Sequence, residues 1–160
     1  MKETIMKTLR ITRELATALF AAILILAACQ SGPPQISIDG AKAELSPSIV
    51  GEAMVTMNIR NQDGSDVLTG VKTDIPGAKA FFHVIQGERM VNADTVEVHA
   101  KSNLEFKMGG SHIMIQDIPK TMMAGSKFNV TLVFQKSGEK QLPLTLQEST
   151  GMPMGHERHM

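Results

Sequence analysis

His112 and Met114 stand two residues apart in the stretch Gly109-Gly110-Ser111-His112-Ile113-Met114-Ile115. In an extended strand alternate side chains share a face, so the imidazole and the thioether leave together while Ile113 and Ile115 leave on the other side. Both side chains are soft-to-borderline metal ligands, and thioether in particular suits Cu(I). A second pair lies upstream, His83 and Met90. If Gln86-Gly87 forms a two-residue turn, His83 faces Met90 directly across a hairpin, with Cβ atoms about 4.5–5.5 Å apart. A longer loop with a bulge would shift that register and separate them. Brought together, the two pairs make a His2Met2 cluster without thiolate or carboxylate. Such neutral ligands bury a monovalent ion at lower cost than a divalent one. The plainer reading of each residue is that methionine fills core gaps and that a strand histidine lies at an edge.

The other histidines and methionines sort by position. Met54 and Met57 fall on opposite faces of one strand, so they cannot both face one site. His99 shares a face with Glu97, opposite Val96 and Val98, and reads as a surface residue. Met108 reads as core in preference to an extra thioether. Met122-Met123 lie in a loop, either as an exposed docking patch or as a core plug. The end of the chain gathers Met152, Met154, His156, His159 and Met160. Short His- and Met-rich tracts bind metal, and the alternative is a plain disordered end.

Strands must position these residues. Runs rich in β-branched residues, broken by Gly, Pro and Asn/Asp turn clusters, are expected at 35–39, 41–45, 53–61, 66–73, 80–85, 88–91, 95–100, 103–108, 111–117, 127–135 and 139–147. No stretch after residue 28 has a convincing helical period. Short strands at this spacing fit an all-β sandwich or Greek-key barrel over residues 36–147. Residues 148–160 read as a flexible Met/His-rich tail.

The first 28 residues differ from the rest. Lys2, Lys7, Arg10 and Arg13 precede an uncharged run from Leu15 to Ala28. That run is shorter than the roughly 20 residues of a membrane span and has the length of a secretory signal core. It closes with Leu26-Ala27-Ala28-Cys29, which resembles a bacterial lipobox: residues 1–28 would be a lipoprotein signal peptide, Cys29 the lipidated first residue and 29–35 a tether. Cys29 is the only cysteine, so no internal disulfide can form. Nor can the domain supply the thiolate that a blue-copper electron carrier requires. Removing the four basic and two acidic residues of the leader from the 16 of each leaves a charge of about −2, without the basic footprint of a nucleic-acid binder. Ser111 and His112 are strand neighbours pointing to opposite faces and make no nucleophile–base pair, so no enzyme activity is expected.

The spacing Met90-x21-His112-x-Met114 resembles that of the PCu(A)C-type extracytoplasmic copper chaperones, with His83 matching the family's upstream histidine in type. Asn58-Ile59-Arg60-Asn61 with Gly64, the Gly109-Gly110-x-His-x-Met turn and the final Leu-x-Phe strand with its Gly138 turn match as well. The resemblance spans about residues 36–146. It implies a cupredoxin-like β-sandwich that binds Cu(I) through His83, Met90, His112 and Met114. It implies delivery of the ion to an extracytoplasmic acceptor, a haem–copper (cytochrome c) oxidase during assembly or another copper chaperone. It also implies a second, weaker site in the tail, for Cu(II). Three features depart from the family. The interval from His83 to Met90 is shorter, Val84 stands where a methionine often follows the histidine, and Met108 replaces the proline before the glycine pair. The competing reading is a metal-free structural or adhesion lipoprotein whose methionines are core.

The lipobox reading predicts a diacylated or triacylated Cys29 and a membrane-associated protein. Cys29→Ala should release the chain or leave it unprocessed, and a mature N-terminus elsewhere by mass spectrometry would overturn it.

Overall fold

The computed structural model describes residues 32–149. The leader, Cys29 and the tail residues Met152, Met154, His156, His159 and Met160 lie outside the described residues.

Among the described residues ten strands follow one another without a helix: β1 (Ile36–Leu45), β2 (Ala53–Asn61), β3 (Asp66–Thr73), β4 (Lys79–Gln86), β5 (Arg89–Ala93), β6 (Val96–Val98), β7 (Ser102–Phe106), β8 (His112–Gln116), β9 (Lys127–Phe134) and β10 (Gly138–Gln147). The period-two pattern is the cause. In β2, Ala53, Val55, Met57 and Ile59 are buried while Met54, Thr56 and Asn58 are half-buried on the other face. In β9, Phe128, Val130, Leu132 and Phe134 are buried. The expected strands at 35–39 and 41–45 merge into β1, whose pairing with β2 shifts between Asp39 and Lys42, where Gly40 takes φ +64°.

The strands run in the order β5-β4-β8-β2-β1-β10-β9-β3-β6, with β7 beside the second half of β2. All pairs are antiparallel except β1 with β10, which joins the two halves of the array. The inward faces meet in one core that includes Phe82, Ile113, Ile115, Phe106, Leu132 and Leu146. This is the all-β architecture expected from the sequence.

The hairpin register departs from expectation. Gln86 pairs with Arg89, Ile85 with Met90, Val84 with Val91 and His83 with Asn92. The turn is therefore Gly87-Glu88, with Gly87 first at φ +65°. A two-residue hairpin needs a positive φ at its first turn position, which glycine adopts without strain; placing Gly87 second would leave Gln86 there. Met90 thus stands opposite Ile85 and not opposite His83. The register moves by two residues in sum, so Met90 stays on the face that carries His83.

Two buried polar residues fasten the core's edges. Asn61 donates to the carbonyls of Gly64 (2.7 Å) and His99 (3.0 Å) and accepts from the Gln35 amide (3.1 Å). Asp66, only 2% exposed, accepts from the amides of Val67 (2.8 Å), Lys136 (2.9 Å) and Ser137 (2.9 Å) and from the Ser137 hydroxyl (2.6 Å). It pins β3 to the turn between β9 and β10. Burial alone would raise its pKa, but the bonds from Ser137, Lys136 and Val67 outweigh burial and hold it below the ordinary 3.8.

Asp66→Asn should therefore destabilise the domain by about 1–3 kcal/mol at pH 7, since an amide cannot accept all of these donors. A depressed carboxylate pKa contributes stability that is complete above the unfolded value and is lost as pH falls through the folded one. Urea titrations should show the difference between wild type and variant shrinking as pH drops below 3.8. A difference that stays constant would contradict this role.

Candidate metal centre

β8 lies between β4 and β2, and its register on both sides composes the site. His83 is directly opposite His112, and Phe81 is opposite Met114. Met54 is opposite Met114 on the other side. Directly paired residues share a face, so His83, His112, Met114 and Met54 lie together on the outer face of the sheet, behind the core residues Phe82, Ile113 and Val55. Met90, through its pairing with Ile85, joins the same face from β5.

The two imidazole rings meet edge to face, with centroids 5.2 Å apart and planes at 81°. Phe81 stands against His83 at 5.8 Å, also edge to face. Although it lies on the outer face, His112 is only 5% exposed. Its Nδ1 is 2.8 Å from the Gly110 carbonyl oxygen. A carbonyl only accepts, so this contact places the proton on Nδ1 and leaves the Nε2 lone pair free. Among the described residues, that Nε2 is buried with no hydrogen-bond partner, and so is Nδ1 of His83. A buried nitrogen without a partner costs about 1–3 kcal/mol, and a metal ion would satisfy both.

The glycine pair makes the His112 contact possible. Gly109 adopts φ +72°. At Gly110 a Cβ would sit 2.7 Å from Cγ of Lys107, so only glycine fits without moving that side chain. The turn closes through Gly110 N–H to the Lys107 carbonyl (3.0 Å) and Lys107 N–H to the Ser111 carbonyl (2.8 Å). The Ser111 hydroxyl oxygen accepts from the Ile85 amide (3.1 Å), which ties the end of β4 to the start of β8.

Burial favours the ligating form of His83. Burial pushes the His83 pKa below 6.5 and the charge of a protonated His112 pushes it further down, with Glu52 opposing. A neutral imidazole offers a lone pair to a metal. Glu52 itself accepts a 2.7 Å hydrogen bond from the Gln116 amide at the far end of the face.

Of the four expected ligands, His83, His112 and Met114 come together directly. Met90, 38% exposed, lies diagonally from His83 instead of opposite it. Met54 was missed: set aside because Met57 occupies the opposite face, it is the methionine of that strand which faces the site, while Met57 is core. Met108 is 42% exposed and not core, because the turn at 107–110 lifts it off the sheet. His99 is exposed beside Glu97, as expected. Met122 packs on the core, whereas Met123 is exposed near Ile49 and Val50. Among the described residues no three of His, Cys, Asp and Glu converge, so a hard-ligand site is not formed there.

The family model for LpqE-like proteins, a family named for its likeness to lipoprotein LpqE, matches residues 36–146, and the chain belongs to that family. No curated protein matches significantly. Among solved structures, the chain is similar to the apo PCuAC domain of PmoF2 (25% identity, 76% of this chain and 97% of that one, TM-score 0.62). The copper-bound form of the PmoF2 domain is similar at 24% identity over 75% and 99%, with a TM-score of 0.60. The Cu(I) solution structure of DR1885 from Deinococcus radiodurans is similar at 20% identity over 79% and 85%, with a TM-score of 0.54. The domain thus has the PCuAC fold.

Gly110→Ala should push the Lys107–Ser111 turn away and loosen the bond that orients His112. Removing such an orienting partner typically costs 10–100-fold in metal affinity. A chelator competition should show Cu(I) affinity falling by about tenfold or more. Unchanged affinity would contradict the orienting role of the turn.

Proposed function

We propose that this LpqE-like protein is a Cu(I) carrier, held at an extracytoplasmic membrane surface through lipid on Cys29. The ion is bound by His83, His112, Met114 and Met90. The observation that carries the reading is the pair of partnerless buried imidazole nitrogens, on rings 5.2 Å apart, flanked by thioethers on the same face. Copper in the similar PmoF2 and DR1885 structures supports it. Imidazole and thioether without thiolate or carboxylate select a soft monovalent ion.

The mechanism is ligand exchange, with no catalytic step. The outer face leaves the metal open to a partner's side chains, and thioether ligands can be replaced one at a time. The acceptor is an extracytoplasmic copper protein, with a haem–copper oxidase under assembly as the proposed recipient. Met152, Met154, His156, His159 and Met160 form a second, weaker site able to take Cu(II).

One Cu(I) should bind the mature chain, and His112→Ala or Met114→Ala should weaken it strongly while leaving the fold intact, because the ligand face is not the core. X-ray absorption should report mixed sulfur and nitrogen neighbours. Binding confined to the folded state should also raise stability, by about 2.7 kcal/mol at a hundredfold excess over Kd. Nitrogen and oxygen neighbours alone, or wild-type affinity in both variants, would overturn the site. Loss of binding only on removal of the tail would move the copper to His156 and His159.

A further inference from the structure

Among the described residues, Met54 is a thioether that strand pairing places on the ligand face and that the proposed shell does not use. The strand register gives it a defined place. Met90 lies one strand beyond His83 and one pair-step toward the hairpin turn. Met54 lies one strand beyond His112 and one pair-step the opposite way, level with Met114. The two methionines therefore occupy opposite corners around the His83–His112 pair. Diagonal neighbours are about 7–8 Å apart and direct neighbours about 4.5–5.5 Å, so Met54 is at least as well placed as Met90 and also touches the position of Met114. Methionine has three rotatable side-chain bonds, enough to cover such offsets. Met90 is 38% exposed on the hairpin, whereas Met54 is half-buried beside a groove of about 300 Å³ that it lines with Thr56, Lys107 and Met108. The groove gives the Met54 side chain room on the side away from the histidines.

We infer that Met54 is a third thioether and a fifth ligand overall, alternating with Met90 as the fourth ligand to a fixed trio of His83, His112 and Met114. This rests on the copper reading above. The exchange breaks one Cu–S bond, to Met90, and forms another, to Met54, with the ion remaining Cu(I). Copper then keeps four protein ligands while Met90 turns outward, and the exposed hairpin side becomes the position at which an acceptor's ligand enters.

The test uses Met54→Leu and Met90→Leu, which conserve core-like volume, in the full mature chain at one equivalent of Cu(I), with a chromophoric Cu(I) chelator as competitor. Each single variant should lose only a few-fold in affinity, and the double variant at least tenfold more than the product of the singles. X-ray absorption should count two sulfurs in Met90→Leu and one in the double variant. Any tail contribution is common to all of them. If Met90→Leu alone loses as much as the double variant and shows a single sulfur, Met54 is not a ligand. His112→Ala separates the two levels: if it abolishes binding while Met54→Leu has no effect in either background, only this inference fails. If His112→Ala binds as wild type does, the strand site itself fails, and this inference with it.

Discussion

The pairing of His83 with His112 across β4 and β8 is the constraint on which the rest of the site depends. Two imidazoles are held at 5.2 Å between centroids by the backbone ladder beneath them. The ladder is in turn fixed by Phe82, Ile113 and Ile115, which fill the core on the reverse of the same strands. The Gly110 carbonyl then selects one tautomer of His112 and aims its free nitrogen at the shared space. Burial without a hydrogen-bond partner is unfavourable for both rings, and that standing cost is relieved by a ligand that accepts lone pairs. Stability of the core and readiness of the site therefore come from opposite faces of the same three strands.

That separation explains how a protein can hold a metal on a stiff sheet and still give it up. Residues that fix geometry, the two histidines and Met114, sit on β4 and β8, each of which is flanked by a strand on both sides. The thioethers at the corners sit on the exposed hairpin and, half-buried, beside an open groove. Thioether binds soft ions without bringing charge, so each exchange step moves no net charge across the site.

Much of this was legible in the chain. Alternation placed His112 and Met114 on one face opposite Ile113 and Ile115, and every observed strand overlaps a run expected between turn signals. What failed was register. Reading Gln86-Gly87 as the turn put Met90 beside His83, whereas the positive φ of the first turn position belongs to Gly87 and slides the pairing by two in sum. Face survived that error because strand periodicity is two; adjacency did not. Met54 was invisible for a related reason. Its own strand showed only that it opposed Met57, and nothing local to β2 says that β8 will pair with its first half so that Met54 meets Met114. Met108 was misread because a core role was inferred from residue type, while the glycine-driven turn that follows it carries it outward.

The central claim is that the two orphaned imidazole nitrogens are the metal's anchor. Long-range proton–nitrogen NMR correlations of the histidine rings, recorded on the apo protein and after one equivalent of Cu(I), test it directly. The account predicts that apo His112 carries a proton on Nδ1, donated to the Gly110 carbonyl. On adding Cu(I), the nitrogen signals of His112 Nε2 and His83 Nδ1 should move together while the His112 Nδ1 proton is retained. A proton on His112 Nε2 in the apo protein, or ring nitrogens that do not respond to Cu(I), would contradict it.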